Sequence, residues 1–271
     1  MTDLEKPQEV QDYEEESLSH TDKITGVFTE PGATFTKIAA EPAKTGDWLI
    51  PILILLAAII ATTAIIMNDP VVKADIKEKA MAKTEQNLNE MVKTGQLSQM
   101  QADEQIEAAE KRLEMIGTPM GILFQSITIV IFGFIVFFII AAIHLAFLKL
   151  LFKDPTTYKQ VLVSNGLASY ISLIAVIVAT ILSMVMGKAM QSVSLAAFLD
   201  LQDGSIMKVL AAKVDPISIW AYIVLGIAYS RFAKAESPGK YFALIFGLWI
   251  GWSILWHYLA QAVPFLRAFS G

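Results

Sequence analysis

The chain contains no cysteine. Disulfides, thiolate metal sites, cysteine nucleophiles and S-palmitoylation are excluded with it. Charge is scarce, at 17% of the 271 residues, and no Asp or Glu falls inside any of the long apolar runs. Ion-coupled transporters usually keep ionisable groups at mid-membrane, and here the only such group is histidine. The net charge of −5 and the pI near 5.3 leave no basic footprint for nucleic acid. No G-x-x-x-x-G-K-[ST], H-E-x-x-H, G-x-S-x-G or strand-borne G-x-G-x-x-G is present. With no general acid or nucleophile in position, the expectation is a non-enzymatic protein with no cofactor, no metal site and no nucleic-acid partner.

What the chain does hold is apolar residues, 55% of the total, giving a mean hydropathy of +0.53. They are gathered in runs, with the charges dense between them, which is the pattern of a polytopic membrane protein. Trp48 to Met67 is 20 residues without a charge. At about 1.5 Å per residue such a helix covers the roughly 30 Å hydrocarbon core. Met115 to Leu148, Gln160 to Gly187 and Tyr241 to Leu266 are further charge-free runs. Pro216 to Ser230 is shorter, and Lys213 and Arg231 flank it where they can snorkel. The expected fold is all-α, with five transmembrane helices at about 48–67, 120–148, 161–186, 214–231 and 241–263.

Between the runs the character changes. The first 22 residues carry eight acids against Lys6, so 1–23 reads as a disordered acidic tail. In 24–47, Pro31 can open a short helix through Ala40, either in the membrane interface or as a soluble connector. The 69–117 segment has ten acids and seven bases, with pairs such as Glu107 and Lys111 one turn apart. Asp69-Pro70 can start one helix, and Ser98-Gln-Met-Gln101 has the form of a capping box for a second. The segment reads as a helical hairpin outside the bilayer. Residues 188–213 read as a linker of two short amphipathic pieces split by Asp203-Gly204.

Basic residues set orientation. Lys149, Lys153 and Lys159 fall in one short loop, and Arg231, Lys234 and Lys240 in another. Both loops lie on the N-terminal side of a five-span topology. The N-terminus is therefore expected in the cytoplasm, and the C-terminus and the hairpin outside.

Polar residues inside the runs mark the places to examine. His144 shares a face of span two with Ser126, Gly133 and Ala141, within about 60° on a helical projection. That narrow, polar face should look into the bundle. In span three Asn165, Ser169, Ser172, Thr180 and Ser183 lie within about 80° of one another. Such a stripe allows close helix approach and interhelical hydrogen bonds, or lines a narrow pathway. Asp215 and His257, both near outer span ends, are expected to hydrogen-bond. Gly247 and Gly251 form a G-x-x-x-G whose face should meet another helix, in this chain or in a second copy, so homo-oligomerisation is one reading.

Three segments together resemble the Yip (Ypt/Rab-interacting protein) domain family in its bacterial branch. They are Glu30-Pro-Gly-Ala-Thr-Phe35 ahead of Trp48, Thr157-Tyr-Lys-Gln-Val-Leu162 leading into Gly166 and Tyr170, and Val214-Asp-Pro-Ile-Ser-Ile-Trp220 with Gly226 and the basic loop that follows. The resemblance covers roughly residues 24–262. It implies a five-helix membrane domain with a cytoplasmic N-terminus, in the bacterial inner membrane. Eukaryotic relatives act in vesicle traffic and contact Rab-type GTPases. This chain lacks their Asp-Leu-Tyr-Gly-Pro motif and carries the extra 69–117 segment. Function is then expected to be that of a scaffold or interaction protein in membrane organisation, meeting the lipid bilayer and an unknown protein partner through the acidic tail or the hairpin. The alternative is a small-molecule or lipid transporter, or a subunit of one.

Overall fold

The computed structural model describes residues 17–263, all of whose regular structure is helical. The acidic residues up to Glu16 lie outside them. Four helices are long and apolar enough to cross a membrane: α3 (Gly46–Asn68), α6 (Pro119–Phe152), α7 (Tyr158–Met186) and α10 (Gly239–Ala262). Two short helices precede them, α1 (His20–Thr29) and α2 (Pro31–Ala40). The charged segment forms α4 (Pro70–Lys93) and α5 (Gln99–Glu114). The remaining helices are α8 (Ile206–Ala211) and α9 (Pro216–Phe232).

Helix starts follow side-chain capping. Asp69 Oδ1 accepts from the amides of Val71 (2.9 Å) and Val72 (3.0 Å), with Pro70 in the first turn, where its missing N–H costs nothing. Ser98 with Gln101, and Thr157 with Gln160, form reciprocal capping boxes for α5 and α7. Gly95 and Gly187 take left-handed φ values of 72° and 61° where α4 and α7 end.

One expectation needs correcting. The tail was expected to run to residue 23, but α1 begins at His20. A capping box between Ser19 and Asp22 holds its first turn, and Lys23 is buried. A Ser-x-x-Asp box supplies the amide acceptors that a disordered tail would leave to water.

α7 is the centre of the bundle. Its N-terminal half, Val161 to Ile171, is buried almost throughout. It packs against α3 on one side and α9 on another, with α6 alongside. Gly166 makes the closest approach: a Cβ there would land on the backbone of Trp48. The helix ends sort into two groups. At the near end, Phe35 of α2 meets Phe232 of α9, His20 of α1 reaches Tyr170 of α7, and Tyr241 of α10 bonds Asp154 behind α6. At the far end, the Asp75 carboxylate of α4 accepts from the Ala189 amide just past α7 (2.9 Å). α4 and α5 pack on each other there.

α9 has 17 residues and a length of about 26 Å, against about 51 Å for the 34 residues of α6. It runs antiparallel to α10, with Tyr222 on Trp249 (4.6 Å between centroids) and Gly226 against Phe242. Six residues back from Tyr222, Pro216 falls level with about residue 255, roughly two turns before α10 ends at Ala262. The linker ahead of it, with a 3₁₀ turn at Leu195–Ala197 and α8, exposes Leu195, Phe198, Leu199, Met207 and Leu210. The expected pieces are therefore present, while four helices, not five, have the length to span by themselves.

Candidate functional site

Buried polar side chains collect at the near end of the bundle in three sets. The first surrounds His144. Nδ2 of Asn165 donates to the carbonyl of Val161 and to the Tyr229 hydroxyl oxygen, both at 2.8 Å. The carbonyl contact fixes which end of the amide is the donor. The Tyr229 hydroxyl also shares a hydrogen bond with His144 Nδ1, 2.8 Å away. The face expected for His144 does look inward: Ala141 is fully buried and Gly133 abuts Leu56. Ser126 bonds back to the Ile122 carbonyl.

The second set ties α1 to α3. Lys23 Nζ donates to both carboxylate oxygens of Asp47, at 2.9 and 2.8 Å. Lys23 is 3% exposed and Asp47 5%. His20 Nε2 bonds the Tyr170 hydroxyl at 2.7 Å, and its Nδ1 lies 3.9 Å from Asp47. The third set closes the loop between α6 and α7. The Tyr241 hydroxyl donates to Asp154 Oδ2 (2.7 Å), and Thr156 donates to Oδ1 through both its amide and its hydroxyl. Lys149 Nζ donates to the Asp154 carbonyl (2.6 Å). A buried carboxylate is costly unless its lone pairs are satisfied, and here three donors surround it. Among the described residues, the one buried side-chain polar atom without a partner is Arg231 Nε.

The span-three stripe is packed. Ser169, Thr180 and Ser183 are buried, and their hydroxyls bond back to the carbonyls of Gly166, Val176 and Ala179. Ser183 Oγ also accepts from the Met190 amide (2.9 Å), which folds the chain back after α7. Ser172 is half-buried. Of the stripe, Asn165 alone reaches another helix through a side-chain hydrogen bond.

The expected bond between Asp215 and His257 is not formed. The Asp215 carboxylate accepts from the Ile217 and Ser218 amides at the start of α9 (3.0 and 3.2 Å). Gln261, one turn on, donates to His257 Nε2 (2.9 Å). Unpaired amides at a helix start compete strongly for a carboxylate one residue away, and this one is engaged there. Gly247 and Gly251 are exposed, and a Cβ at either would meet open space. Trp249 packs on α9, so the glycine face points away from the bundle and meets no helix of this chain.

Sequence reasoning missed Tyr229, Lys23, Asp47, Asp154 and Tyr241. No group of three His, Asp or Glu side chains that could hold a metal ion occurs among the described residues. No protein-family model, curated protein or solved structure matches the chain.

Proposed function

We propose that this membrane-embedded chain is a non-enzymatic scaffold or interaction protein of the Yip-domain type, which organises membrane by presenting its ends to partners. The observation that carries this reading is the sealing of α7. Its small and hydroxylated face is filled by Trp48 at Gly166, and its buried hydroxyls are satisfied within their own helix. A transport pathway along that stripe would require those groups to face open, hydrated space. A rigid centre with polar sets at one end and a charged helix pair at the other suits a protein whose surfaces, not its interior, do the work.

In this reading α9 is a fifth crossing, completed at the far end by the apolar linker ahead of it. The near end, with both basic loops, faces the cytoplasm of a bacterial inner membrane, and α4 and α5 stand outside. Partners reach the chain through the acidic tail or through α4 and α5. The absence of cysteine makes the topology directly testable, because a single introduced thiol has no background. Gln96→Cys is expected to react with an impermeant maleimide on intact cells, and Glu236→Cys only after lysis. The reverse pattern would overturn the orientation. Pull-down in mild detergent followed by mass spectrometry tests the scaffold itself. A specific partner is expected, and it should be lost on deletion of 69–117 or of the tail. Recovery of no specific partner, together with solute uptake by proteoliposomes, would favour the transporter instead.

A further inference from the structure

At the far end, a crevice of about 340 Å³ opens where α3 ends, α4 and α5 pass, and α6 begins. Met67, Ile76, Ile116 and Phe124 form its apolar walls, and Arg112 and Gln125 are its polar members. Its level is fixed by the chain. The apolar run of α3 stops at Met67 to Asn68, and that of α6 starts after Thr118. The crevice therefore straddles the boundary between hydrocarbon and water.

Two cations of the segment stand at or beside this crevice. Lys79 is paired with Asp75, and Lys111 with Glu107. The Arg112 side chain makes no ion pair or hydrogen bond among the described residues, although it borders the crevice. Lys73 is likewise unpaired, and its ammonium lies against Gly117, 3.2 Å from where a Cβ would stand, beside Ile116 of the wall. Of the acids nearest in sequence to Lys73, Asp75 is paired with Lys79 and Asp69 is engaged in capping α4. Below the crevice, Met120, Leu123, Phe124, Ile127 and Ile131 are exposed along α6.

We infer that this crevice binds one anionic phospholipid. A forked guanidinium on the crevice rim, with the Lys73 ammonium near Gly117 next to the Ile116 wall, matches a phosphodiester. The Met67 and Phe124 walls, continued by the exposed face of α6, match the start of an acyl chain. Gln125, also on the crevice wall, offers the ester carbonyls of such a lipid an amide donor. A soluble phosphate would use the cations and leave the apolar walls wet, so the two sources of the anion make different demands.

The test uses the full chain in phosphatidylcholine nanodiscs containing a minority of phosphatidylglycerol, with retained lipid read by native mass spectrometry. The wild type is expected to keep one phosphatidylglycerol in preference to phosphatidylcholine. Arg112→Gln should lower that retention about fivefold, the equivalent of roughly 1 kcal/mol per cation near a membrane surface. Arg112→Lys should keep most of it, which controls for folding. Lys93→Gln, at the exposed far tip of α4, should change nothing. Equal retention of the two lipids overturns the inference, as does full retention in Arg112→Gln. Displacement of the bound lipid by millimolar inorganic phosphate also overturns it, and would assign the cations to a soluble anion.

Discussion

The buried pair of Lys23 and Asp47 can be tested by a double-mutant cycle. Both side chains are almost wholly removed from solvent, and two short hydrogen bonds join them. Lys23→Met fills a similar volume but strands a carboxylate among α1, α3 and α7. Stranding one partner of a buried pair costs about 3–5 kcal/mol, most of it the desolvation of the charge left behind. A 4 kcal/mol loss lowers the folded population ratio about a thousandfold. Asp47→Leu strands the ammonium and should cost a similar amount. The double variant removes both charges, and exchanging a buried pair for apolar side chains is often neutral. It should therefore recover most of the loss, with a coupling of about 3 kcal/mol or more. Reversible unfolding in mixed micelles, followed by far-UV circular dichroism, measures all four corners. Additive single-variant losses would refute the reasoning, and so would singles within about 0.5 kcal/mol of wild type. Either result would mean that water reaches the pair and that α1 is held by its apolar face alone.

Further outcomes follow from other contacts. Gly166→Ala should destabilise by about 1–3 kcal/mol, because its Cβ meets the Trp48 backbone and α3 must shift away; the same unfolding titration reads it. Tyr229→Phe removes the hydroxyl that His144 Nδ1 and Asn165 both bond and should cost about 1 kcal/mol, within the range measured for hydrogen bonds between membrane helices. Asp215→Ala removes the cap of α9 and should cost about 1 kcal/mol, with faster amide exchange at Ile217 and Ser218 as the local sign. Asp75 sits partly buried, which by itself would raise its pKa, yet the hydrogen bonds from Lys79 and the Ala189 amide and the charges of Lys79 and Lys188 hold it below the ordinary 3.8. A depressed folded-state pKa means that this attachment of α4 is fully present above 3.8 and is lost as pH falls below it. Hydrogen exchange at Ala189 should accelerate on acidification in that range, and an unchanged rate would show that the bond does not hold the loop.

Much of this fold is written in local pattern. Charge-free runs located α3, α6, α7 and α10 to within a few residues, because transfer of charge into hydrocarbon is costly wherever it occurs. Asp69-Pro70, Ser98 with Gln101, and Pro31 marked helix starts, because a cap depends only on its immediate neighbours. Ser19-His-Thr-Asp22 carried the same kind of signal for α1 and was hidden by the acids on either side. The polar sets at the near end were not legible in that way. Asp47 reads as a boundary residue ahead of Trp48, and Asp154 as part of a turn before Pro155. Their partners, Lys23 and Tyr241, are 24 and 87 positions away. His144 was marked as inward-facing, yet nothing in its periodicity names Tyr229. Asp215 with His257 shows the opposite error, in which two suitable groups near one membrane face each found a nearer partner.

The contrast between α6 and α9 bears on the surrounding lipid. An apolar rod of about 51 Å cannot stand upright in a core of about 30 Å, so it must lean steeply or draw the lipid thicker along its flank. In the proposed five-span arrangement, the α9 side offers a helix of only about 26 Å, and any part of the crossing that the linker leaves uncovered asks the bilayer to pinch inward. A single molecule in that arrangement would impose a slope in bilayer thickness from one flank to the other. Such a slope costs elastic energy that falls when thick flank meets thick flank and thin meets thin, so lipid deformation alone would draw and orient neighbouring copies before any side chains touched.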